Sequence, residues 1–378
     1  MPIVLDGSLG VTTPMYNGTI TANAVTPSVN MKNRIINGNM SIDQRNAGAS
    51  VTIPATGGQY TLDRWAAGAS QASKFSIQQN AGSVTPPVGF RNYLGVTSLS
   101  AYSVGSGDLF YIYQPIEGFN TADLNFGTAN AQTITVSFWV RSSLTGTFGG
   151  SLRNDAANRF YPFSYTISSA NTWEQKSVTI AGDTTGTWVG ATNGTGLIVY
   201  FGLGVGSSLS GTAGSWTGSS FYSATGATSV VGTNGATFYI TGVQLEVGST
   251  ATSFDYRPYT TELQLCQRYL PAFSAAAGTG VLGTGQTVAT TAGYGTVVFP
   301  VTARVPPTGI TISAAGHFSG TQTGGSQSAF TGLVFNTATV SCGEVYGTGA
   351  SSLGAAGGCT QLRANNTSAL LLFTGCEL

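Results

Sequence analysis

The sequence predicts an all-β protein, and three observations carry the prediction. Apolar residues alternate with period two: within 133–141, Ile134, Val136, Phe138 and Val140 share one face while Thr135, Ser137, Trp139 and Arg141 share the other. Helix-period stripes are almost absent. Glycine supplies 53 of the 378 residues, about twice the usual ~7%, and recurs with Ser and Asn between the alternating runs, where turns belong. Short alternating strands joined by such turns make an antiparallel sandwich.

Residues 1–32 hold three prolines, no alternation and few large apolar side chains, the composition of an extended arm that packs on something other than its own core. A first β region covers 33–258, with strands expected at Leu109–Pro115, 133–141, Asn171–Ile180, Leu197–Leu203 and Thr237–Val247. The pattern changes over 259–271. Thr261 and Gln264 there have capping-box spacing and Pro271 forbids continuation, so a short helix links the first region to the second. The second β region fills 272–378, with a strand expected at Gly295–Val301.

Charge is scarce and balanced. Charged residues are 7% of the chain and the net charge is zero, where ordinary domains carry ~25% charged residues. No basic excess exists to neutralise phosphates, and nothing draws the chain to anionic lipid, so nucleic acid is excluded as a partner. The longest apolar run, around Leu197–Val205, falls far short of the ~20 residues of a spanning helix, so no membrane insertion is expected. With 41% hydrophobic residues the chain can nevertheless build cores. The opening MPIVLDGSLG lacks the basic and apolar stretches of a secretory signal, so a route other than classical secretion is expected.

Catalysis and metal binding find little material. The only histidine is His317 and no Asp follows Glu262, so a Ser-His-Asp triad cannot form locally, and no enzyme activity is expected. The acids stand singly. Structural pairing, of Asp63 with Arg64 or Glu246 with Arg257, is their expected role, although two carboxylates are all that glycoside cleavage needs. Cys342, Cys359 and Cys376 are evenly spaced without a CxxC pair, which offers no zinc site; no cofactor is expected, and structural calcium is not indicated. Two readings of these cysteines stand: a Cys342–Cys359 disulfide formed in an oxidising medium, or small apolar thiols. Cys266 is expected in the core beneath the helix.

Specific blocks then set a wider frame. Asn33-Arg34-Ile35-Ile36-Asn37-Gly38-Asn39-Met40, Asp43-Gln44-Arg45 and Tyr60-Thr61-Leu62-Asp63-Arg64-Trp65 resemble the opening of a jelly-roll module found in bacteriophage tail fibre proteins. Tyr239-Ile240-Thr241-Gly242-Val243-Gln244-Leu245-Glu246-Val247-Gly248, then Phe254, Tyr256-Arg257-Pro258 and Glu262-Leu263, Leu265-Cys266-Gln267-Arg268-Tyr269, resemble its close and exit helix. The segment Phe299-Pro300-Val301-Thr302-Ala303-Arg304-Val305-Pro306-Pro307-Thr308 is similar to fibre C-terminal domains, with Ala303 where Met is usual. The resemblance implies a jelly-roll β-sandwich related to carbohydrate-binding modules, an arm that docks on other virion proteins, a C-terminal domain that meets the host, and a homotrimer. It also implies a virion protein assembled in the host cytoplasm and released by lysis. Three functions follow from it: a tail fibre adhering non-covalently to host surface glycan, a head fibre or capsid decoration whose jelly roll is a spacer, and, with least support, a glycan depolymerase.

Sugar recognition uses aromatic faces with amide or hydroxyl donors in a shallow groove. Trp139, Arg141, Tyr111, Tyr113, Tyr200 and Tyr239 alternate away from the aliphatic face and are expected to line one sheet, either as a binding face or as a packing face against a neighbouring domain or subunit. Trp216, Phe221 and Tyr222 fall in the Gly/Ser-rich 206–235, either as contacts at a loop tip or as plugs beneath the loop. The glycine-rich 278–295 and 343–358 read as permissive turns or as a receptor-contacting tip.

Overall fold

The computed structural model describes residues 31–275, 280–321 and 327–378. The virion-docking arm expected over 1–32 lies outside them but for its last two residues. Among the described residues no helix is long and apolar enough to cross a membrane.

The first region is a jelly-roll β-sandwich of two six-stranded antiparallel sheets. One sheet runs β1 (Val51–Thr52), β4 (Phe75–Gln79), β5 (Leu94–Ser98), β14 (Thr237–Val247), β7 (Ile134–Ser142) and β10 (Glu174–Ile180). The other runs β2 (Thr56–Tyr60), β3 (Ala66–Ala69), β6 (Leu109–Glu117), β11 (Thr195–Val205), β8 (Gly146–Arg153) and β9 (Phe160–Ile167). The alternation in β7 does what period two requires: Ile134, Val136, Phe138 and Val140 are fully buried between the sheets. Phe138 meets Phe201 of β11 at 5.0 Å and Tyr165 of β9 at 4.9 Å, both edge-on, so one ring ties the two sheets together. A short parallel pair, β12 (Ser210–Gly211) and β13 (Ser223–Ala224), lies within the uncharged 206–235 segment.

The linking helix α1 spans Tyr259–Gln267, but Thr261 does not cap it. Pro258 occupies the N-cap position with extended backbone and no side-chain cap, and its carbonyl accepts the Glu262 N–H, which places Thr261 inside the first turn. A proline immediately ahead of the first turn starts the helix three residues earlier than the capping-box spacing suggests.

The C-terminal region has two parts. A three-stranded sheet orders β15 (Ala272–Ser274), β23 (Leu370–Thr374) and β18 (Gly309–Ile312). A closed six-stranded barrel follows the order β16 (Val281–Ala289), β17 (Ala292–Val298), β21 (Cys342–Gly349), β20 (Gln327–Ala338), β19 (Phe318–Thr321) and β22 (Cys359–Ala364). Its described part turns most of the glycine-rich 278–295 into the β16–β17 hairpin, where turns or a tip were expected. Six strands enclose little room, and inward glycines make space for the rings that fill it. A Cβ on Gly347 would lie 2.7 Å from the Phe330 ring, and one on Gly343 would collide with Phe373. The strand expected at Gly295–Val301 is β17, shifted toward the N-terminus.

The blocks that carry the fibre resemblance meet at one end of the sandwich in a buried polar network, and two expected pairs are replaced there. Asp63 and Arg64 do not pair. Arg64 has φ +67, which sends the adjacent side chains apart. Asp63 accepts Gln44 N at 2.7 Å, while Arg64 pairs with Glu377 at the far end of the chain and lies 3.6 Å over the Tyr269 ring. Glu246 takes the Thr252 hydroxyl at 2.6 Å, leaving Arg257 to Glu262 at 3.3 Å and Asp255 at 3.7 Å. Glu117 holds Arg268 and the Tyr269 hydroxyl, and Arg304 donates to the Cys376 and Asn193 carbonyls. Sandwich, helix and C-terminal sheet are thus joined through side chains 1–5% exposed at Asp63, Arg64, Glu117 and Glu262.

Burial pushes the Asp63 carboxyl up to about 6, against the Gln44 hydrogen bonds and the Arg45 charge that lower it. Its folded-state pKa therefore lies above the unfolded value of about 3.9, so the folded chain holds the proton more tightly. The stabilisation is fully present below pH 4 and is lost as pH rises to 6, a change of about 3 kcal/mol. Asp63→Asn keeps an acceptor for Gln44 and should remove this component. The wild-type-minus-variant difference in urea stability is expected to fall across that window; a constant difference would contradict the assignment.

Candidate functional site

The six candidates expected to line one sheet are divided between the two sheets. Tyr111, Tyr113 and Tyr200 stand on the outer face of β6 and β11, whereas Trp139, Arg141 and Tyr239 stand on β7 and β14 of the opposite sheet. Each sheet has its own inner and outer face, so residues of equal parity on different sheets diverge. On the first face Tyr200 is 2% and Tyr111 7% exposed, and Tyr222 covers them, 5.3 and 5.9 Å away. Arg153 donates to the Tyr200 hydroxyl at 2.8 Å and Gly57 accepts the Tyr111 hydroxyl. On the second face Tyr239 is 4% exposed beneath Tyr93 and the Arg141 guanidinium, and Trp173 closes the cluster. Trp139 and Arg141 remain half-buried.

The 206–235 segment folds down rather than projecting its aromatics. The Trp216 ring packs on Tyr161, Trp188 and Phe126 at 5.2–5.8 Å, and its N–H donates to the Ala181 carbonyl. Phe221 lies against Gly211, where any Cβ would meet its ring. These residues plug the space under their own loop.

Of the two readings of the distal cysteines, the Cys342–Cys359 disulfide is not the one found: all four cysteines are free. In the barrel Cys359 is level with Gln286, Tyr294 and Tyr346, and Cys342 lies four residues further along β21, about 13 Å away along the strands. Cys359 is exposed, Cys342 half-buried, and Cys376 buried with its thiol pushed up to about 11. His317 shares a 2.9 Å hydrogen bond with Ser313.

A groove with free aromatic surface lies elsewhere, at the start of α1. Strand β14 has a bulge between Thr241 and Gln244, and Gly242 within it takes φ +60. Phe90 lies flat in the space this leaves; a Cβ on Gly242 would be 2.5 Å from its ring. Phe90 in turn packs on Phe254 at 5.1 Å and Tyr256 at 5.5 Å, which holds the Tyr256 ring across Gly89. Tyr256 and Tyr259 are 55% and 62% exposed, the only exposed tyrosines among the described residues.

Two clefts meet at Tyr259. One of about 310 Å³ is lined by Asn39, Ser41, Arg91, Asn92 and Tyr256; the other, about 400 Å³, runs past Asp43 and Gln44 to Ser274 and Ser368 of the C-terminal region. Ser41 Oγ is buried there without a partner, and the exposed Arg91 makes no hydrogen bond or ion pair with the described residues. Asn92 Oδ1 accepts from Asn80, and its NH2 group makes no hydrogen bond with the described residues. Asp43 is committed to the fold: it accepts the Asn46 and Gly48 N–H groups, and burial raises its pKa. Two tyrosine faces, a guanidinium, amides and a hydroxyl can hold a hydroxyl-rich ligand by stacking and hydrogen bonding.

Sequence reasoning placed Tyr256 within the motif that closes the sandwich and Tyr259 at the start of the linking helix, and gave neither a binding role. The Phe90 shelf depends on a bulge 150 residues away in sequence, and only the Pro86-Pro87 pair before it marked a loop.

No protein-family model and no curated protein matches the chain. Among solved structures it is similar to the enzymatically active domain of bacteriophage CBA120 tailspike protein 4, with 11% identity over 57% of this chain, a TM-score of 0.32, and only 22% of that chain covered. It is also similar to TmCBM61 in complex with β-1,4-galactotriose, with 10% identity, TM-score 0.28, and 57% of this chain and 99% of that one covered. The family 11 carbohydrate-binding module from Clostridium thermocellum gives 10% identity and TM-score 0.28, covering 54% and 98%. Likenesses this distant transfer neither a ligand nor an activity.

Proposed function

We propose that this chain is a phage virion fibre protein that adheres to host surface glycan without cleaving it, using the groove around Tyr256 and Tyr259. The observation that carries this reading is the pair of exposed tyrosine faces set among unpartnered polar groups in a preformed cleft. The motif blocks framing residues 33–270 support the fibre assignment. Non-catalytic adhesion is supported by the lining, in which Asp43 is the sole carboxylate of either cleft among the described residues and is already bonded twice; hydrolysis would need two acids facing the sugar. A tail location, trimer assembly and docking through 1–32 complete the proposal.

Purified protein is expected to bind host cells and to reduce phage adsorption in competition, with no reducing ends released from host polysaccharide. Absence of cell binding at micromolar protein would favour the spacer role in a head fibre or capsid decoration, and sustained release of reducing ends would favour a depolymerase.

A further inference from the structure

We propose that the outer wall of the C-terminal barrel carries a second binding site, for a neutral oligosaccharide, independent of the Tyr256 groove. Strand register sets its side chains in two adjoining rows. Cys359, Gln286, Tyr294 and Tyr346 cross four strands at one level, and Gln361, Thr284, Thr296 and Glu344 cross them at the next. Residues two apart on a strand face the same way, so both rows look outward, while Thr287, Val297, Val345 and Leu362 of the same strands are buried inside.

The Tyr294 and Tyr346 rings, 5.3 Å apart at 55°, form an aromatic ledge beside a groove of about 670 Å³ over Thr284, Thr296, Thr321, Cys359 and Gln361. The side chains of Thr284, Gln286 and Thr296 and both tyrosine hydroxyls make no hydrogen bond with the described residues, and Thr321 Oγ1 is buried in the groove wall without a partner. A buried hydroxyl left unpaired is costly, and a ligand hydroxyl satisfies it. Among the described residues no charged side chain lines the groove; Glu344, at the end of its row, already accepts from Asn336, and Arg363, two residues beyond Gln361 on β22, donates to the Gln361 amide oxygen at 3.0 Å. Stacking surface, hydroxyls and amides without charge select an uncharged, hydroxyl-rich ligand. The exposed aliphatic side chains nearest the two rows, Val334 paired with Tyr346 and Val298 two residues beyond Thr296, stand at their edge rather than in the groove.

Cys359 gives a native reporter, being an exposed thiol in the first row, with half-buried Cys342 at the other end of the strands as internal control. The test is maleimide alkylation of the full-length protein, followed peptide by peptide, with neutral gluco-, galacto- and manno-hexasaccharides as probes. At a concentration twice the Kd, one series is expected to slow Cys359 by about threefold and leave Cys342 unchanged. Tyr294→Ala and Tyr346→Ala should abolish this protection, while Tyr256→Ala and Tyr259→Ala leave it intact, so failure at one site is distinguishable from failure at the other. No slowing by any series overturns the proposal. So does a Cys359 that is protected without sugar and released on dilution, which would show a second copy of the chain covering the wall, and so does protection that survives in the tyrosine variants.

Discussion

Glu377→Ala is expected to be among the most destabilising substitutions in the chain, costing about 3–5 kcal/mol, because it strands a charge that cannot reach water. Arg64 is 1% exposed, its guanidinium lies over the Tyr269 ring, and it remains ionised at any accessible pH. Glu377 is its counter-ion and also holds Arg45 at 2.6 Å, while the next residue, Leu378, accepts the Tyr60 hydroxyl at 2.8 Å. The last two residues thus fasten the C-terminal region to the sandwich. All five tryptophans, Trp65 to Trp216, belong to the sandwich, so their fluorescence reports its unfolding alone. A lowered urea midpoint by that probe would show the chain's end stabilising a region that begins more than 300 residues earlier; an unchanged midpoint would refute the fastening. The double variant Arg64→Met with Glu377→Leu should recover most of the loss, since an apolar pair of similar volume removes the stranded charge together with its partner.

The strands were legible because period-two alternation survives in a sandwich with one face buried, and Thr237–Val247 coincides with β14. Boundaries slipped where proline geometry overrode side-chain spacing, as at Pro258 and Thr261. The partners of the charged residues were not legible, because in a chain with so few charges each ion finds its counterpart across the fold: Arg64 and Glu377 lie at opposite ends of the described sequence. Parity along a strand says that Tyr111 and Tyr239 face away from a core, but not that they do so on opposite sheets or that Tyr222 covers one of them. Exposure, the property that marks Tyr256 and Tyr259, depends on which later segment covers which ring, and alternation holds no record of that.

The double variant Tyr256→Ala with Tyr259→Ala is expected to abolish binding at this groove, and so to weaken cell binding, while leaving the protein folded. Exposed aromatic rings at the centre of a binding surface commonly contribute 2 kcal/mol or more each, about a 30-fold loss in affinity per ring and roughly 1,000-fold for two that act independently. Tyr259 separates binding from folding best. It is 62% exposed at the first position of α1, where alanine is a better helix former, so Tyr259→Ala should lose affinity without losing stability. Tyr256 packs on Phe254 at 4.9 Å and on Phe90, so its removal should cost some stability as well, and its effect on binding must be read against its urea midpoint. Arg91→Ala tests the polar side of the same cleft: with no partner among the described residues, the guanidinium stands to lose ligand contacts alone, which predicts weaker binding at unchanged stability. Wild-type cell binding by the double variant, with the fold confirmed by circular dichroism, would remove this groove from the adhesion mechanism whatever the barrel wall does.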